Sequence, residues 1–354
     1  MMGNGDIAVI GSYTREGGEG ITTHRIETDG ALPRIDAADE ADPSFLAFHP
    51  SGEYLVAVNE REDGSAVSYH VDPATGALDR SDRSATGDAG PCHVAVGPLG
   101  EYAVVSHFVG GSVALLSLTA EGELAGPVDL QEHGGSGPNP DRQTAPHPHS
   151  AWFVTDSIVY VPDLGTDTLV VYELDRDDGE LVHLADAAVS VNPGAGPRHF
   201  ASHPDAPVGY LLNELDATMT VIDHADPRDP SVEVTVSTLP PEVDADRTIA
   251  AEVQVHPGGE YVSTSNRGHD SLATVAVGDD PRDVERTDVT PSGGEWPRNF
   301  RISPDGTRLF VCHQHTDDVI PFAIENGELR RLDAPTTVRA PVCIQILAAN
   351  VSDR

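Results

Sequence analysis

A hairpin pattern that recurs along the whole chain constrains the fold more than any other feature of the sequence. Each copy has a short apolar run, a turn carrying Gly, Pro or Asp, and a second apolar run, which is typical of a β-hairpin. A third apolar run usually follows, as at 65–71, 218–223 and 271–277. The clearest hairpins occupy residues 45–60, 93–108, 150–164, 199–215, 253–267 and 299–314.

The spacing of the copies predicts the architecture. They start about 44 to 57 residues apart, and four short strands at this period are typical of a β-propeller blade. The starting residues are Pro43, Pro91, Pro148, Pro197, Ala251 and Pro297, with a partial copy from Pro341 that the N-terminal runs can complete. We predict an all-β, seven-bladed β-propeller of four-stranded antiparallel blades, one domain over 1–354. Its ring closes by pairing the N- and C-terminal strands, which removes open edges.

The charge balance excludes several functions. Against 58 acidic residues the chain has 21 basic ones, all arginine, for a formal net charge of −37. The absence of lysine excludes a lysine Schiff base and a P-loop lysine. So acidic a surface should repel nucleic acid and anionic membranes. An acid excess of this kind is typical of a salt-adapted protein, in which ions screen the self-repulsion.

Cysteine usage and the N-terminus indicate an intracellular protein. The widely spaced Cys92, Cys312 and Cys343 form no CxxC motif, so we expect reduced thiols. The N-terminus lacks the basic segment of a signal peptide, and no stretch approaches the roughly 20 apolar residues of a membrane helix. We therefore expect a soluble, cytoplasmic protein.

The propeller geometry brings polar residues together at one mouth of the central channel. The start of the first strand and the end of the second lie at the same end of a hairpin, and the innermost strands line the channel. The residues after each starting position are Ser44, Cys92, His149, Arg198, Glu252, Arg298 and Val342. Those closing the second strand are Glu60, His107, Asp163, Glu214, Arg267 and Gln314, with Tyr13 or Thr14. Convergent polar groups in a concavity indicate a functional site.

The segment APHPHS, 145–150, places two histidines at this mouth. Pro146 and Pro148 hold it extended, and a Gly- and Pro-rich insertion, 134–146, delivers the chain to it. We expect His149 to face the channel, with His147 as the alternative. The two histidines and Asp163 could hold a metal, but we favour a site without metal or cofactor.

The residue types at the mouth favour acyl chemistry on an anion. Arginine suits carboxylate and phosphate oxygens and can stabilise an oxyanion. Glu214, Glu252 or a neutral His149 could act as general base. Lactone hydrolysis needs these parts, and so does the reverse reaction. The motifs GxSxG, HExxH and GxGxxG are absent, which disfavours the chemistries they carry.

Several segments resemble the seven-bladed lactonase family, which contains propeller-type 6-phosphogluconolactonases and fungal 3-carboxy-cis,cis-muconate lactonizing enzymes. They are PSFLAFHPSGEYLVAVNE, APHPHS, PDLGTD, GAGPRHF, LNEL, AEVQVHPGGEY, SNRGHDS and WPRNFRISPDGTRL, spread in order over every blade. The resemblance implies a metal-independent lactonase or cycloisomerase. It also implies that the catalytic residues are His149, or its neighbour His147, with Arg198, Glu214 and Arg267, for which Arg298 is a rival.

The leading hypothesis is hydrolysis of a sugar lactone, either 6-phosphogluconolactone or an unphosphorylated aldonolactone. Residues expected around an anionic lactone substrate are His147, Asp163, His199, Glu252, Arg298, Gln314, His107 and Glu60. One alternative is a cycloisomerase that lactonizes an unsaturated dicarboxylate of the carboxy-muconate type. Another is a non-catalytic propeller that binds partners through its faces, although such faces favour aromatic residues and only 5% of this chain is aromatic.

Overall fold

Seven antiparallel sheets surround a central channel in this computed structural model, which describes residues 6–243 and 247–348. In six of the sheets the strands follow chain order from the channel outward. The architecture is the predicted seven-bladed β-propeller. Within the described residues, no helix has the length and apolar character needed to cross a membrane.

Blades 1 to 4 take up the first half of the chain, together with its last strand. Blade 1 contains β1 (Ile7–Ser12), β2 (Ile21–Arg25), β3 (Arg34–Ala38) and β30 (Pro341–Leu347). Blade 2 contains β4 (Pro43–Phe48), β5 (Tyr54–Asn59), β6 (Ser65–Val71) and β7 (Leu78–Ala85). Blade 3 contains β8 (Pro91–Val96), β9 (Tyr102–His107), β10 (Ser112–Leu118) and β11 (Leu124–Glu132). Blade 4 contains β12 (Trp152–Phe153), β13 (Ile158–Asp163), β14 (Thr168–Asp175), β15 (Glu180–His183) and β16 (Val189–Ser190).

Blades 5 to 7 complete the ring. Blade 5 contains β17 (Pro197–Ser202), β18 (Val208–Asn213), β19 (Thr218–Asp223) and β20 (Ser231–Ser237). Blade 6 contains β21 (Ile249–Val255), β22 (Tyr261–Arg267), β23 (Ser271–Val277) and β24 (Val284–Pro291). Blade 7 contains β25 (Pro297–Ile302), β26 (Arg308–His313), β27 (Asp318–Glu325), β28 (Glu328–Arg331) and β29 (Thr336–Thr337). Short 3-10 turns lie at Thr14–Glu16 and Ala185–Ala187.

The two ends of the chain close the ring, as predicted. Strand β30 is the innermost strand of blade 1 and pairs antiparallel with β1. The ladder runs from Ile7 opposite Leu347 to Ser12 opposite Pro341. Because one blade takes strands from both the N- and C-terminal parts of the chain, the pairing of β1 with β30 closes the ring.

The core lies between the faces of neighbouring blades. Leu46 and Val56 of blade 2, for example, belong to the same buried cluster as Val94 and Val105 of blade 3. The outermost strands contribute less, and most side chains of β20 are exposed. The outermost strand β20 therefore contributes little to the core.

Candidate active site at the arginine mouth of the channel

A β-bulge turns one side chain of the innermost strand towards the channel. In blade 5, Pro197 and His199 pair with consecutive residues of β18, so that Arg198 is the extra residue. A bulge re-aims the side chain of the extra residue. Gly196, two residues before Arg198, has a φ of 66°. A Cβ at this position would lie 2.6 Å from the Leu215 side chain. The GAGPRH segment therefore needs this glycine to present the arginine.

Equivalent positions in all seven blades form what we call the bulge ring. It consists of Ser44, Cys92, His149, Arg198, Ala251, Arg298 and Val342. The residues that follow form the second ring, one step deeper along the channel. They are Phe45, His93, Ser150, His199, Glu252, Asn299 and Cys343.

The register of blade 6 corrects the predicted position of Glu252. Ala250, not Ala251, lies opposite Asn266, as Pro197 lies opposite Asn213 in blade 5. The bulge ring therefore takes Ala251, and Glu252 belongs to the second ring. A shift of one residue moves a strand side chain to the other face. Glu252 accordingly lies deeper in the channel, where it is part of the lining of the cavity that opens at the other end.

His107 also lies one residue short of the mouth. It is paired with Pro91 at the end of β9 and is fully buried. Its Nδ1 is 3.2 Å from Oγ of Ser112, at the start of the next strand. The contact closes a turn within blade 3, which corrects the prediction that His107 meets the substrate.

Asp163 has a supporting position at the end of β13. Its Oδ1 accepts hydrogen bonds from the backbone N–H groups of His147 at 2.8 Å and Gly165 at 2.9 Å. Its Oδ2 lies 2.6 Å from Nδ1 of His133. Since both oxygens are engaged and the side chain is fully buried, Asp163 fixes the histidine segment and does not face the channel.

One glutamate and three arginines form the centre of the mouth. Oε2 of Glu214 accepts hydrogen bonds from Nε of Arg198 at 3.0 Å and from Nη2 of Arg267 at 2.7 Å. Its Oε1 accepts one from Nη2 of Arg142 at 2.5 Å. Glu214, Arg198 and Arg267 are each less than 5% exposed. We call this end of the channel the arginine mouth.

The arginine mouth carries surplus positive charge. Burial alone raises the pKa of Glu214, but Arg267, Arg198 and Arg142 outweigh it and hold that pKa well below its usual range. Burial lowers the pKa of Arg267 to about 9, and Glu214 opposes that shift. One ionised carboxylate therefore faces three guanidinium groups in a protein of net charge −37. The surplus attracts an anion.

His149 faces this cluster as a neutral imidazole. Its Nε2 lies 3.9 Å from Oε2 of Glu214. Its backbone N–H donates to the carbonyl of Pro162 at 2.9 Å, which fixes the Pro-His-Pro-His segment along β13. Burial, followed by the charges of Arg198 and other nearby basic groups, holds the pKa of His149 well below 6.5. A neutral imidazole can accept a proton.

His147 occupies a different position. Its ring stacks on Phe108, with 4.5 Å between centroids, and its Nδ1 is 2.7 Å from the Phe108 carbonyl oxygen. The side chain is half-buried beside the arginine mouth. Of the two histidines, His149 is the one that the structure brings to Glu214.

Arg142 is a member of the site that the sequence analysis missed. It lies in the insertion 134–146, where Gln143 is fully buried and donates to the Leu164 carbonyl at 2.8 Å and to Asp167 at 2.7 Å. This anchor holds Arg142 over Glu214, with 34% of its side chain exposed. Its only sequence signal is that it is the one basic residue of the insertion.

Arg298, Glu60 and Gln314 lie in an adjacent sector of the bulge-ring end. Nη2 of Arg298 donates to the Tyr13 hydroxyl at 2.7 Å, and that hydroxyl donates to Glu60 at 2.6 Å. Gln314 donates to both carboxylate oxygens of Glu16, at 3.0 and 2.9 Å. Arg267, rather than its rival Arg298, therefore contacts Glu214.

The second ring joins the arginine mouth to the deeper channel. Nη1 of Arg198 lies 3.2 Å from Nε2 of His199, whose Nδ1 is 3.3 Å from Oε2 of Glu252. That oxygen also accepts a hydrogen bond from Asn299, and Oε1 accepts one from the Val253 N–H at 3.2 Å. Burial raises the pKa of Glu252 to about 7. His199 therefore lies between Arg198 of the arginine mouth and Glu252 of the second ring.

Within the described residues, no group of three or more His, Cys, Asp or Glu side chains is arranged to hold a metal ion. Cys92, Cys312 and Cys343 are free and buried. The candidate site is thus an assembly of arginine, glutamate and histidine side chains.

The fold is a seven-bladed propeller with a buried, cationic candidate site at one end of its channel. The chain belongs to the seven-bladed β-propeller lactonase family, whose model matches residues 7–346. It is 29% identical to the 6-phosphogluconolactonase of Bacillus subtilis, over 96% of this chain and 98% of that protein. It is 26% identical to the 6-phosphogluconolactonase of Formosa agariphila, over 95% and 98%. The solved structure of the periplasmic gluconolactonase of Pseudomonas aeruginosa superposes with a TM-score of 0.92 at 28% identity, covering 97% of this chain and 99% of that one.

Proposed function

We propose that this protein hydrolyses a sugar lactone that carries an acidic group, with 6-phosphogluconolactone as the first candidate. The observation that carries the proposal is the surplus positive charge of the arginine mouth, where Glu214 faces Arg142, Arg198 and Arg267. Membership of the lactonase family supports the reaction class. The names of the Bacillus and Formosa relatives support the substrate.

In this proposal His149 is the general base. It takes a proton from water, and the water oxygen adds to the lactone carbonyl carbon. The ring C–O bond then breaks, and the leaving oxygen takes up the proton, so that lactone and water give a hydroxy acid. Neutral His149 suits this role better than Glu214, because both oxygens of that carboxylate already accept hydrogen bonds from arginines.

The arginines bind the anion and stabilise the transition state. N–H groups of Arg198 and Arg267 point into a buried site, where charge-assisted hydrogen bonds to an oxyanion are strong. Arg142, which is partly exposed, binds the acidic group of the incoming substrate. Glu214 is a positioning residue that holds the three guanidinium groups together. Burial and, after it, the nearby positive charge lower the pKa of His149, and an anionic substrate offsets the second of these effects.

The test is hydrolysis of 6-phosphogluconolactone in molar potassium chloride, with spontaneous opening subtracted. Arg198→Ala should lower kcat/KM by about 10²–10³-fold, the usual cost of losing one oxyanion donor. Arg330→Ala is the control, because Arg330 lies on the surface in an exposed ion pair with Glu325. No rate above background from folded protein, or lactonization of a carboxy-muconate instead, would contradict the proposal.

The cellular location is part of the proposal. We place the reaction in the cytoplasm, on the basis of the cysteine usage. The Pseudomonas relative is named as periplasmic, so a fractionation experiment has two defined outcomes.

A further inference from the structure

A second concavity opens at the other end of the channel, which we call the cavity mouth. It has a volume of about 800 Å³ and is lined by the later residues of the innermost strands, such as Phe48, Val96 and Ile302. The bulge ring, at the end of the arginine mouth, comes from the first residues of the same strands. The lining of the cavity mouth includes none of Arg142, Arg198 and Arg267, so the two ends of the channel present different side chains.

Phe and Trp side chains are enriched in the lining of the cavity mouth. The sequence has eight Phe and two Trp, and four of these ten line the cavity. They are Phe45, Phe48, Trp152 and Phe153. Of the acidic residues that the structure describes, only Glu252 is in the lining. This wall suits the face of a flat apolar group.

Arg301 supplies the one guanidinium group of that lining. It is half-buried, yet its side chain makes no hydrogen bond and no ion pair within 4.0 Å among the residues that the structure describes. Arg198, Arg267 and Arg298, by contrast, each contact a carboxylate or a phenol. Burial lowers the pKa of Arg301, and the charge of Glu252 only partly offsets this. A half-buried cation without a partner favours a bound anion.

Glu252 does not neutralise Arg301 directly. Both of its oxygens accept hydrogen bonds, from the Asn299 amide and from the Val253 N–H. It also lies against His199, on the side of the arginine mouth. The raised pKa of Glu252 reduces the negative charge that an anion in the cavity would meet.

We propose that the cavity mouth is a second ligand site, which binds a small organic carboxylate with a flat apolar body. Arg301 pairs with the carboxylate, for which its planar fork is suited. Trp152 and Phe45 pack against the body of the ligand. This site does not depend on the reaction proposed for the arginine mouth, because it uses other residues at the other end of the channel.

Tryptophan fluorescence can test the site, because Trp152 and Trp296 are the two tryptophans of the chain. In a Trp296→Phe background, Trp152 is the only reporter. Sodium benzoate, titrated at constant potassium chloride, should change its emission saturably. Benzamide, which has the same ring but no charge, should not. Arg301→Gln should weaken benzoate binding about tenfold or more, the expected loss for one charge-assisted pair.

Arg330→Gln, the same substitution on the surface of the same blade, should leave benzoate binding unchanged. Equal binding of benzoate and benzamide would overturn the proposal, and that comparison needs no change at Arg301. The absence of any saturable response would do the same. Benzoate binding that survives Arg301→Gln but is lost in Arg142→Gln would place the anion at the arginine mouth and overturn it as well.

Discussion

Glu214 and Glu252 are equally buried, each 2% exposed, but their surroundings differ. Glu214 accepts hydrogen bonds from three arginines, which hold its pKa well below the usual range. Glu252 contacts a histidine and two neutral donors, and burial raises its pKa to about 7. Burial alone therefore does not determine the charge of a carboxyl group in this channel; the nearby basic groups do.

The difference gives the two carboxyl groups different charge states near neutral pH. At the arginine mouth, a fixed carboxylate orients guanidinium groups and leaves them a positive surplus for an anion. In the second ring, Glu252 can gain or lose a proton near neutral pH. For this reason we propose His149, which is neutral beside Glu214, as the general base rather than the carboxylate itself.

The largest effect should come from His149→Gln, which removes the proposed base. We expect kcat to fall by about 10²–10⁴-fold, the usual contribution of general base catalysis. Because the pKa of His149 is held well below 6.5, wild-type kcat/KM should stay level through neutral pH and decline only in more acidic solution. Steady-state kinetics across pH measure both expectations.

The matched control for that change is His183→Gln, since His183 is exposed on β15. It should leave the rate unchanged. A larger loss in His147→Gln than in His149→Gln would reverse the assignment between the two histidines.

Glu214→Gln should destabilise the protein by about 3–5 kcal/mol, because it leaves buried arginines without their carboxylate. Glu252→Gln should cost far less, since no arginine lies within 4.0 Å of Glu252 among the described residues. Denaturant unfolding at pH 7 in molar salt compares the two variants directly. Equal losses would show that the two carboxyl groups are not as different as their surroundings indicate.

Glu252 should make the stability of the protein depend on pH. The folded protein holds a proton on Glu252 up to about pH 7, against an ordinary value of 4.5. Between these values the folded state binds more protons than the unfolded state, so the contribution of Glu252 to stability falls as pH rises. The full change is on the order of 3 kcal/mol.

Other groups titrate in the same range, so the quantity to measure is the difference between wild type and Glu252→Gln. Relative to the variant, the wild-type free energy of unfolding should decrease from pH 4.5 to pH 8. A difference that is constant with pH would contradict the raised pKa.

The smallest effect should come from Arg142→Gln. Arg142 is the exposed member of the cluster, and we assign it to binding rather than to the oxyanion. KM should rise about tenfold, in keeping with the loss of one charge-assisted contact, while kcat changes less. A drop in kcat as large as the rise in KM would move Arg142 to the reacting group, and Arg330→Gln again serves as control.

Most of the fold could be predicted from the sequence because its signals are local and repeated. Apolar runs, tight turns and the period of the copies indicated seven blades, and the third strands at 65–71, 218–223 and 271–277 coincide with β6, β19 and β23. The same repeat placed Arg198, Glu214 and Arg267 at one end of the channel, where the structure brings them together.

The tertiary structure determined those features of the site that depend on strand register and on contacts between distant segments. The predicted register was one residue off at Glu252, His107 and Asp163. Because strand side chains alternate between faces, the structure places these three residues away from the arginine mouth. Arg142 reaches Glu214 from an insertion with no regular pattern. Neighbours from other blades determine the pKa values of Glu214 and Glu252. They also determine that Arg301 has no hydrogen bond or ion pair among the described residues. A repeat in the sequence therefore determines which strands form, but only packing determines which charges meet.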